Sequence, residues 1–200
     1  MIDIIGSPSS NAKAVYFAFL DMGINCKIVQ DPIEIHNSKK IVLPGVGAFG
    51  ALSEFLHNSK LFEPLQLRIA EGAKMLGICL GMQLLSERSE ESSEYKGLGI
   101  FKNHCKKFEG ADLRVPHTGW DQVSINSQHE VLRGLSSEFS AFFSHSYYVP
   151  VDKNYSFGIT EYGCEFSSIL AKDNVVGVQF HPERSQSNGR KILSNFADWE

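Results

Sequence analysis

Two hundred residues, 42% apolar and 21% charged, can build a full core, which excludes a disordered or fibrous chain. A net charge of −4 with no run of Lys or Arg argues against nucleic acid or an anionic membrane as the main partner, and no apolar run nears the ~20 residues of a membrane span. Four scattered cysteines (26, 79, 105, 164) lack a C-x-x-C spacing, which speaks against zinc and disulfide frameworks. The start Met-Ile-Asp-Ile-Ile is too short and uncharged for a signal peptide, so a reduced, cytoplasmic protein with no metal or cofactor is expected.

Residues 2–5 read as a strand. Ser10 or Asn11 caps a helix to about residue 22, with Val15, Phe19 and Met22 on one face and Gly23 as its stop. Strands follow at 26–29 and 41–43. A helical pattern resumes after Gly47 (Leu52, Phe55, Leu56), and Pro64 opens a helix that continues over 65–71 to Gly72. Residues 75–78 form a short buried strand, and another helix opens at Leu80. This alternation predicts an α/β fold with a mostly parallel central sheet flanked by helices. Residues 86–94 are polar and without apolar period, so an exposed loop is expected. Beyond Gly97 come β-type runs at 99–108, 122–125, 141–149, 157–161, 167–171 and 175–180. A last helix begins near Ser187 and carries Ile192, Leu193 and Phe196. Neither repeats nor a linker are evident. One domain over 1–200 is predicted, its second half made of additional antiparallel strands.

Three stretches carry chemistry. In Lys74-Met-Leu-Gly-Ile-Cys79-Leu-Gly-Met-Gln83, glycines flank the cysteine as Gly-x-Cys-x-Gly, the pattern of a nucleophile elbow with a thiol in place of a hydroxyl. A sharp strand-to-helix turn needs neighbours without a Cβ, and the following helix aims its N-terminal N–H groups at the sulfur, favouring thiolate. The plainer alternative is a buried cysteine in a β-turn-α unit. In Gly177-Val-Gln-Phe-His181-Pro-Glu183, Pro182 favours extended geometry at His181. Residues two apart in an extended segment share a side, so His181 and Glu183 are expected to project together as base and orienter. Taken singly, His-x-Glu at a strand end is more often surface polarity; paired with the elbow, the triad is preferred. Gly45-Val46-Gly47-Ala48-Phe49-Gly50 formally matches a dinucleotide fingerprint. However, it is not the first βα turn, Pro44 precedes it, and Glu71 lies before a strand instead of ending one. Such a loop can instead offer N–H groups to an oxyanion, with Leu80 N–H as second donor.

Together these stretches resemble the class I, triad-type glutamine amidotransferases. Leu-Pro-Gly-Val-Gly-x-Phe (43–49), Leu-Gly-Ile-Cys-Leu-Gly-Met-Gln-Leu-Leu (76–85), Pro-His-x-Gly-Trp (116–120), His-Ser-Tyr (145–147) and Gln-Phe-His-Pro-Glu-Arg-Ser (179–185) are similar to the glutaminase subunits of imidazole glycerol phosphate synthases. The resemblance runs from about residue 11 to the C-terminus. It implies Cys79 as nucleophile, His181 as general base and acid, and Glu183 as orienter. It places Gly45, Val46, Gly47 and Leu80 around the oxyanion and substrate, and Gln83, His145 and Ser146 in a glutamine pocket. Asn11, Trp120 and Arg184 are expected at a partner face. The implied partner is a synthase (cyclase) subunit of (β/α)8 barrel type forming a heterodimer, with glutamine as substrate and ammonia as the product passed on. His145 is otherwise a satisfied core histidine, and Trp120 otherwise core. The family's usual Asp-Tyr-Gly-x-Gly-Asn opening is here Gly6-Ser-Pro-Ser-Ser-Asn11, keeping only Asn11. This leaves open a paralogous subunit supplying ammonia for amidino-sugar synthesis. A stand-alone thiol hydrolase of γ-glutamyl substrates and a non-catalytic module are the remaining alternatives. Cys26, Cys164 and the His104-Cys105 pair are expected bystanders.

Overall fold

In the computed structural model, which describes residues 1–8 and 10–200, the chain runs β1 (Ile2–Ile5), α1 (Ala12–Leu20), β2 (Cys26–Val29), β3 (Lys40–Gly45), α2 (Phe49–Asn58), α3 (Phe62–Ala70) and β4 (Lys74–Cys79). It continues through α4 (Leu80–Leu84), β5 (Ser86–Ser89), β6 (Phe101–Lys107), β7 (His117–Ile125), β8 (Glu138–His145) and β9 (Tyr147–Tyr148). It closes with β10 (Ser156–Glu161), β11 (Glu165–Lys172), β12 (Val175–Val178) and α5 (Gln186–Asp198). One sheet of nine strands has the order β2-β1-β3-β4-β12-β11-β10-β7-β8, and β5-β6-β9 form a small second sheet.

From β2 through β12 the neighbours are parallel, and from β12 through β8 they are antiparallel. The predicted parallel α/β half and the added antiparallel strands are therefore one continuous sheet, joined at β12. Parallel strands buried on both faces carry near-continuous apolar runs, sorted by alternation. Ile4, Val42, Leu76 and Ile78 pack with Val15 and Phe19 of α1 and Ile192 and Phe196 of α5. Ile5, Ile41, Leu43 and Met75 pack with Leu52 and Leu56 of α2 and Leu65 and Ile69 of α3. β12 inserts between β4 and the antiparallel strands, with Val178 level with Ile78. This brings the residues following both strands to the same sheet edge.

Several boundaries differ from expectation, each for a local reason. α1 ends at Leu20, before Met22, and Gly23 stops it at φ +71°. α3 begins at Phe62, so Pro64 lies within the first turn, where no intrahelical N–H bond is lost. The predicted loop over 86–94 contains β5, paired parallel to β6, and a bridge between Ser89 and Ser92. Its inward side chains, Ser86 and Ser89, are buried but polar, so no apolar alternation announces the strand. β7 starts at His117, five residues before the predicted 122, because His117 and Gly119 pair with His145 and Phe143 of β8. Short 3₁₀ turns at Pro32–Ile35 and Glu130–Leu132 carry no periodic signal. No helix among the described residues is long and apolar enough to cross a membrane.

Candidate active site

Cys79 ends β4 and caps α4 with φ +53° and ψ −110°. For a residue with a Cβ this conformation costs about 1–3 kcal/mol and persists only where the surroundings impose it. The flanking glycines show what imposes it. A Cβ on Gly81 would lie 1.8 Å from the carbonyl oxygen of Leu43, and one on Gly77 would lie 2.8 Å from Gly81 O and Met82 N. α4 is pressed against β3 and β4 too closely for any side chain there. It is only five residues long, so the positive end facing the sulfur consists of the free N–H groups of its first turn, not a long helix dipole. Cys79 is buried, and its Sγ lies 3.8 Å from Ser144 O and 3.7 Å from Gln179 Nε2.

His181 follows β12 and is extended (φ −97°, ψ 98°), as Pro182 requires. The expectation that Glu183 would share its side by strand alternation is corrected. Pro182–Arg184 is a 3₁₀ turn, and that turn folds Glu183 back onto the imidazole. His181 Nδ1 lies 2.8 Å from Glu183 Oε1 and donates to it, which leaves Nε2 for the sulfur. Ser185 braces the turn by donating to His181 O (2.7 Å) and accepting from Phe142 N–H (3.0 Å). Burial alone would lower the His181 pKa, but hydrogen bonds and charge from Cys79 and Glu183 overcome it and raise it to about 10.

Asn11 stands at the N-cap of α1, yet its side chain makes no capping bond. Its amide Nδ2 instead donates to Glu183 Oε1, the oxygen that holds His181. The turn that delivers it is closed by reciprocal bonds between Ser7 and Ser10. That turn lies in the segment 6–11, where the family pattern is lost. Ser9, within it, lies outside the described residues.

A cavity of about 570 Å³ opens over the sulfur. Its lining includes Val46, Gly47, Leu80, Gln83, His145 and Ser146 together with Cys79, His181 and Glu183. Gly45, expected among them, is the last residue of β3. It sits beneath the cavity, packed against Leu52, Leu80 and Gly81. Gly47, at φ +91°, turns the chain from β3 toward α2. Gln83 lies one turn beyond Cys79, and its Nε2 donates to Tyr147 O (2.7 Å) and to Gln179 Oε1 (3.1 Å). His145 is both a satisfied core histidine and part of the cavity wall. Its Nδ1 donates to Tyr147 O (2.8 Å), and its Nε2 lies 3.1 Å from His117 Nδ1. Burial drives the His145 pKa down to about 3, so the ring is neutral. His117 stacks between Tyr162 and Phe143 with its Nε2 3.2 Å from Asp121. Burial lowers His117 against the pull of Asp121.

Arg184 lines the cavity, whereas Trp120, 49% exposed, lies outside that lining in a separate groove with Ser140 and Ser185, which removes the core reading for it. It meets Phe142 edge-on, and the exposed Arg184 guanidinium covers the other part of that ring at 4.8 Å. Sequence reasoning missed four polar partners here. Gln179, at the sulfur, was legible in hindsight as the residue two before His181. The Asn11–Glu183 bond, the His117–Asp121 pair and Glu91, which accepts the N–H of Phe49 at the start of α2 (2.7 Å), carry no local signal. His104 and Cys105 face opposite sides of β6, one exposed and one buried, with burial pushing the Cys105 thiol up to about 12.

The family model for glutamine amidotransferase class-I matches residues 3–199. An imidazole glycerol phosphate synthase subunit HisH from Sulfurimonas denitrificans is 41% identical over 204 aligned positions, covering 100% of this chain and 98% of that protein. A HisH subunit from Caldanaerobacter subterraneus subsp. tengcongensis is 39% identical over 199 positions, covering 99% and 98%. Among solved structures, a glutamine amidotransferase superposes with TM-score 0.77 at 16% identity over 98% of this chain and 97% of that one. A chain of PurLQS from Thermotoga maritima gives TM-score 0.74 at 16% identity over 99% and 97%. At such identities the likeness is one of fold.

Proposed function

The chain belongs to the class I glutamine amidotransferases, within them to the HisH subunits of imidazole glycerol phosphate synthase, and from that premise we propose that residues 1–200 act as one glutaminase domain feeding ammonia to a synthase subunit. The observation that carries this reading is the convergence of Cys79, on a strained turn, with His181 and Glu183 at one cavity.

Glutamine enters beside Gln83, His145 and Ser146. The Cys79 thiolate attacks the side-chain carboxamide carbon, and the N–H groups of Leu80 and the 45–47 loop take the oxyanion. His181, which holds a proton in the resting site, passes it to the departing nitrogen, releasing ammonia and leaving a γ-glutamyl thioester. It then takes a proton from water, whose oxygen attacks the thioester carbon. Glutamate leaves, and the electron pair of the broken C–S bond returns to sulfur. Glu183, steadied by Asn11, keeps the imidazole oriented throughout.

Ammonia must reach its acceptor before water protonates it, so a partner must seal the site. The face we assign to it runs from Asn11 and Arg184 at the cavity across Phe142 to the exposed Trp120. The partner is a (β/α)8 barrel cyclase subunit in a heterodimer, making imidazole glycerol phosphate and AICAR in the cytoplasm, a lyase-type step of histidine biosynthesis. The glycines of the 45–47 loop let its peptide turn at little cost when that partner is loaded.

The test is steady-state glutamine hydrolysis by the chain alone and with the barrel partner plus its acceptor ligand, using Cys79→Ala as blank. Weak activity that rises strongly with the loaded partner is expected. Cys79→Ala is expected to lose about 10⁴-fold or more. Full activity without a partner would sink the coupling and point to a stand-alone hydrolase.

A further inference from the structure

The parallel register of β4 and β12 ends with Ile78 opposite Val178, which sets the next residues, Cys79 and Gln179, side by side. Gln179 is fully buried, and its backbone N–H donates to Ser168 O (2.9 Å). Its side-chain Nε2 lies 3.7 Å from Cys79 Sγ. The direction of that contact is set from a distance. Tyr147 O only accepts, so the Gln83 nitrogen must face it (2.7 Å). The second N–H of Gln83 then meets Gln179 Oε1 (3.1 Å), leaving the Gln179 nitrogen for the sulfur. A row of two amides thus ends in an N–H donor aimed at the nucleophile. The sulfur also faces Ser144 O at 3.8 Å, an acceptor that suits S–H and repels an anion.

We propose that Gln179 is the donor that holds the anionic sulfur, and that Gln83 orients it. The inference rests on reading Cys79 as the nucleophile. The N–H···S bond weakens as the thiolate gives its electron pair to carbon. It re-forms when the thioester C–S bond breaks and the pair returns to sulfur. Gln179 therefore favours both the attacking and the departing state, whereas Ser144 O favours neither.

The test uses the full chain and iodoacetamide, scoring the Cys79 peptide separately from those of Cys26, Cys105 and Cys164. The alkylation rate is followed from about pH 5 to about pH 10. In Gln179→Met the midpoint of the rate curve is expected to move up by about one unit, with roughly tenfold slower alkylation on the acid side and equal rates at the alkaline end. A changed rate at all pH with an unmoved midpoint indicates packing only and overturns the proposal. Gln83→Met is expected to give a smaller shift in the same direction, and none on top of Gln179→Met. Additive shifts overturn the assigned order of the two amides. If Gln179→Met fails to fold, as judged by circular dichroism, Gln83→Met decides, and an unmoved midpoint there overturns the proposal. Because the readout is alkylation, a chain that shifts as expected but never hydrolyses glutamine sinks the proposed function and leaves this inference standing.

Discussion

Two walls of the same cavity hold buried polar groups by opposite means. The Cys79 turn holds its thiol by backbone. A cysteine at φ +53° is kept there because α4 lies against β3 with no room for a Cβ at Gly77 or Gly81. The His117–His145 wall holds its imidazoles by side chains. β7 and β8 pair in unbroken register from His117–His145 to Ser124–Glu138, and the rings sit among Phe108, Phe143, Tyr162 and Phe166. The first wall fixes a thiol and tolerates no added atom. The second shapes a pocket and tolerates no added charge. Under the proposed mechanism, strain sits at the atom that reacts and not at the surface that recognises.

The contrast breaks first at Gly81. A Cβ there meets backbone that cannot move aside, so Gly81→Ala is expected to cost about 3–5 kcal/mol and lower Tm by roughly 10 °C. Phe143→Leu, in the packed wall, is expected to cost only about 1 kcal/mol. Equal losses in thermal unfolding would erase the distinction.

Asn11→Ala sharpens it at the level of chemistry. The side chain does not cap α1, so Tm should move by no more than about 1–2 °C, where a true cap would cost about 1 kcal/mol. Loss of the donor to Glu183 is expected to lower kcat/KM for glutamine about 10–100-fold. The reverse pattern, a falling Tm with intact turnover, would make Asn11 a helix cap after all.

The last effect concerns pH. His145 has its pKa depressed to about 3 in the fold, below its ordinary value near 6.5. Its contribution is therefore complete above about pH 6.5 and is lost as pH falls toward 3, by about 2 kcal/mol at pH 5. His145→Gln cannot take up that proton, so its Tm should fall less than that of the parent between about pH 7.5 and pH 5. Parallel pH dependence in the two proteins would show that the imidazole wall accommodates charge.

Much of this was legible in the chain. The alternation of strand and helix to residue 88 marked the parallel half, because a strand buried on both faces writes its burial as a near-continuous apolar run. Gly-x-Cys-x-Gly marked the turn, because only glycine fits that contact, and His-Pro-Glu marked the imidazole–carboxylate pair proposed as base and orienter. β5 was not legible, since its inward residues are serines, and neither was the early start of β7, whose Pro-His-x-Gly-Trp run lacks apolar alternation. The partners Asn11–Glu183 and Gln179–Cys79 stand 172 and 100 residues apart in the chain. Even the close pair, His117–Asp121, depends on a backbone course that no local pattern announces.

The sequence by itself therefore determined which residues have special chemistry and which backbone positions must lack a Cβ, since both are properties of single residues and short spacings. Tertiary structure alone decided which of them meet. The insertion of β12 beside β4 sets Gln179 against the sulfur, and the 3₁₀ turn after Pro182 folds Glu183 onto His181. The turn closed by Ser7 and Ser10 sends Asn11 to the carboxylate instead of to its own helix. A hydrogen bond between distant segments depends on strand order and register, and those are settled by the packing of the whole sheet.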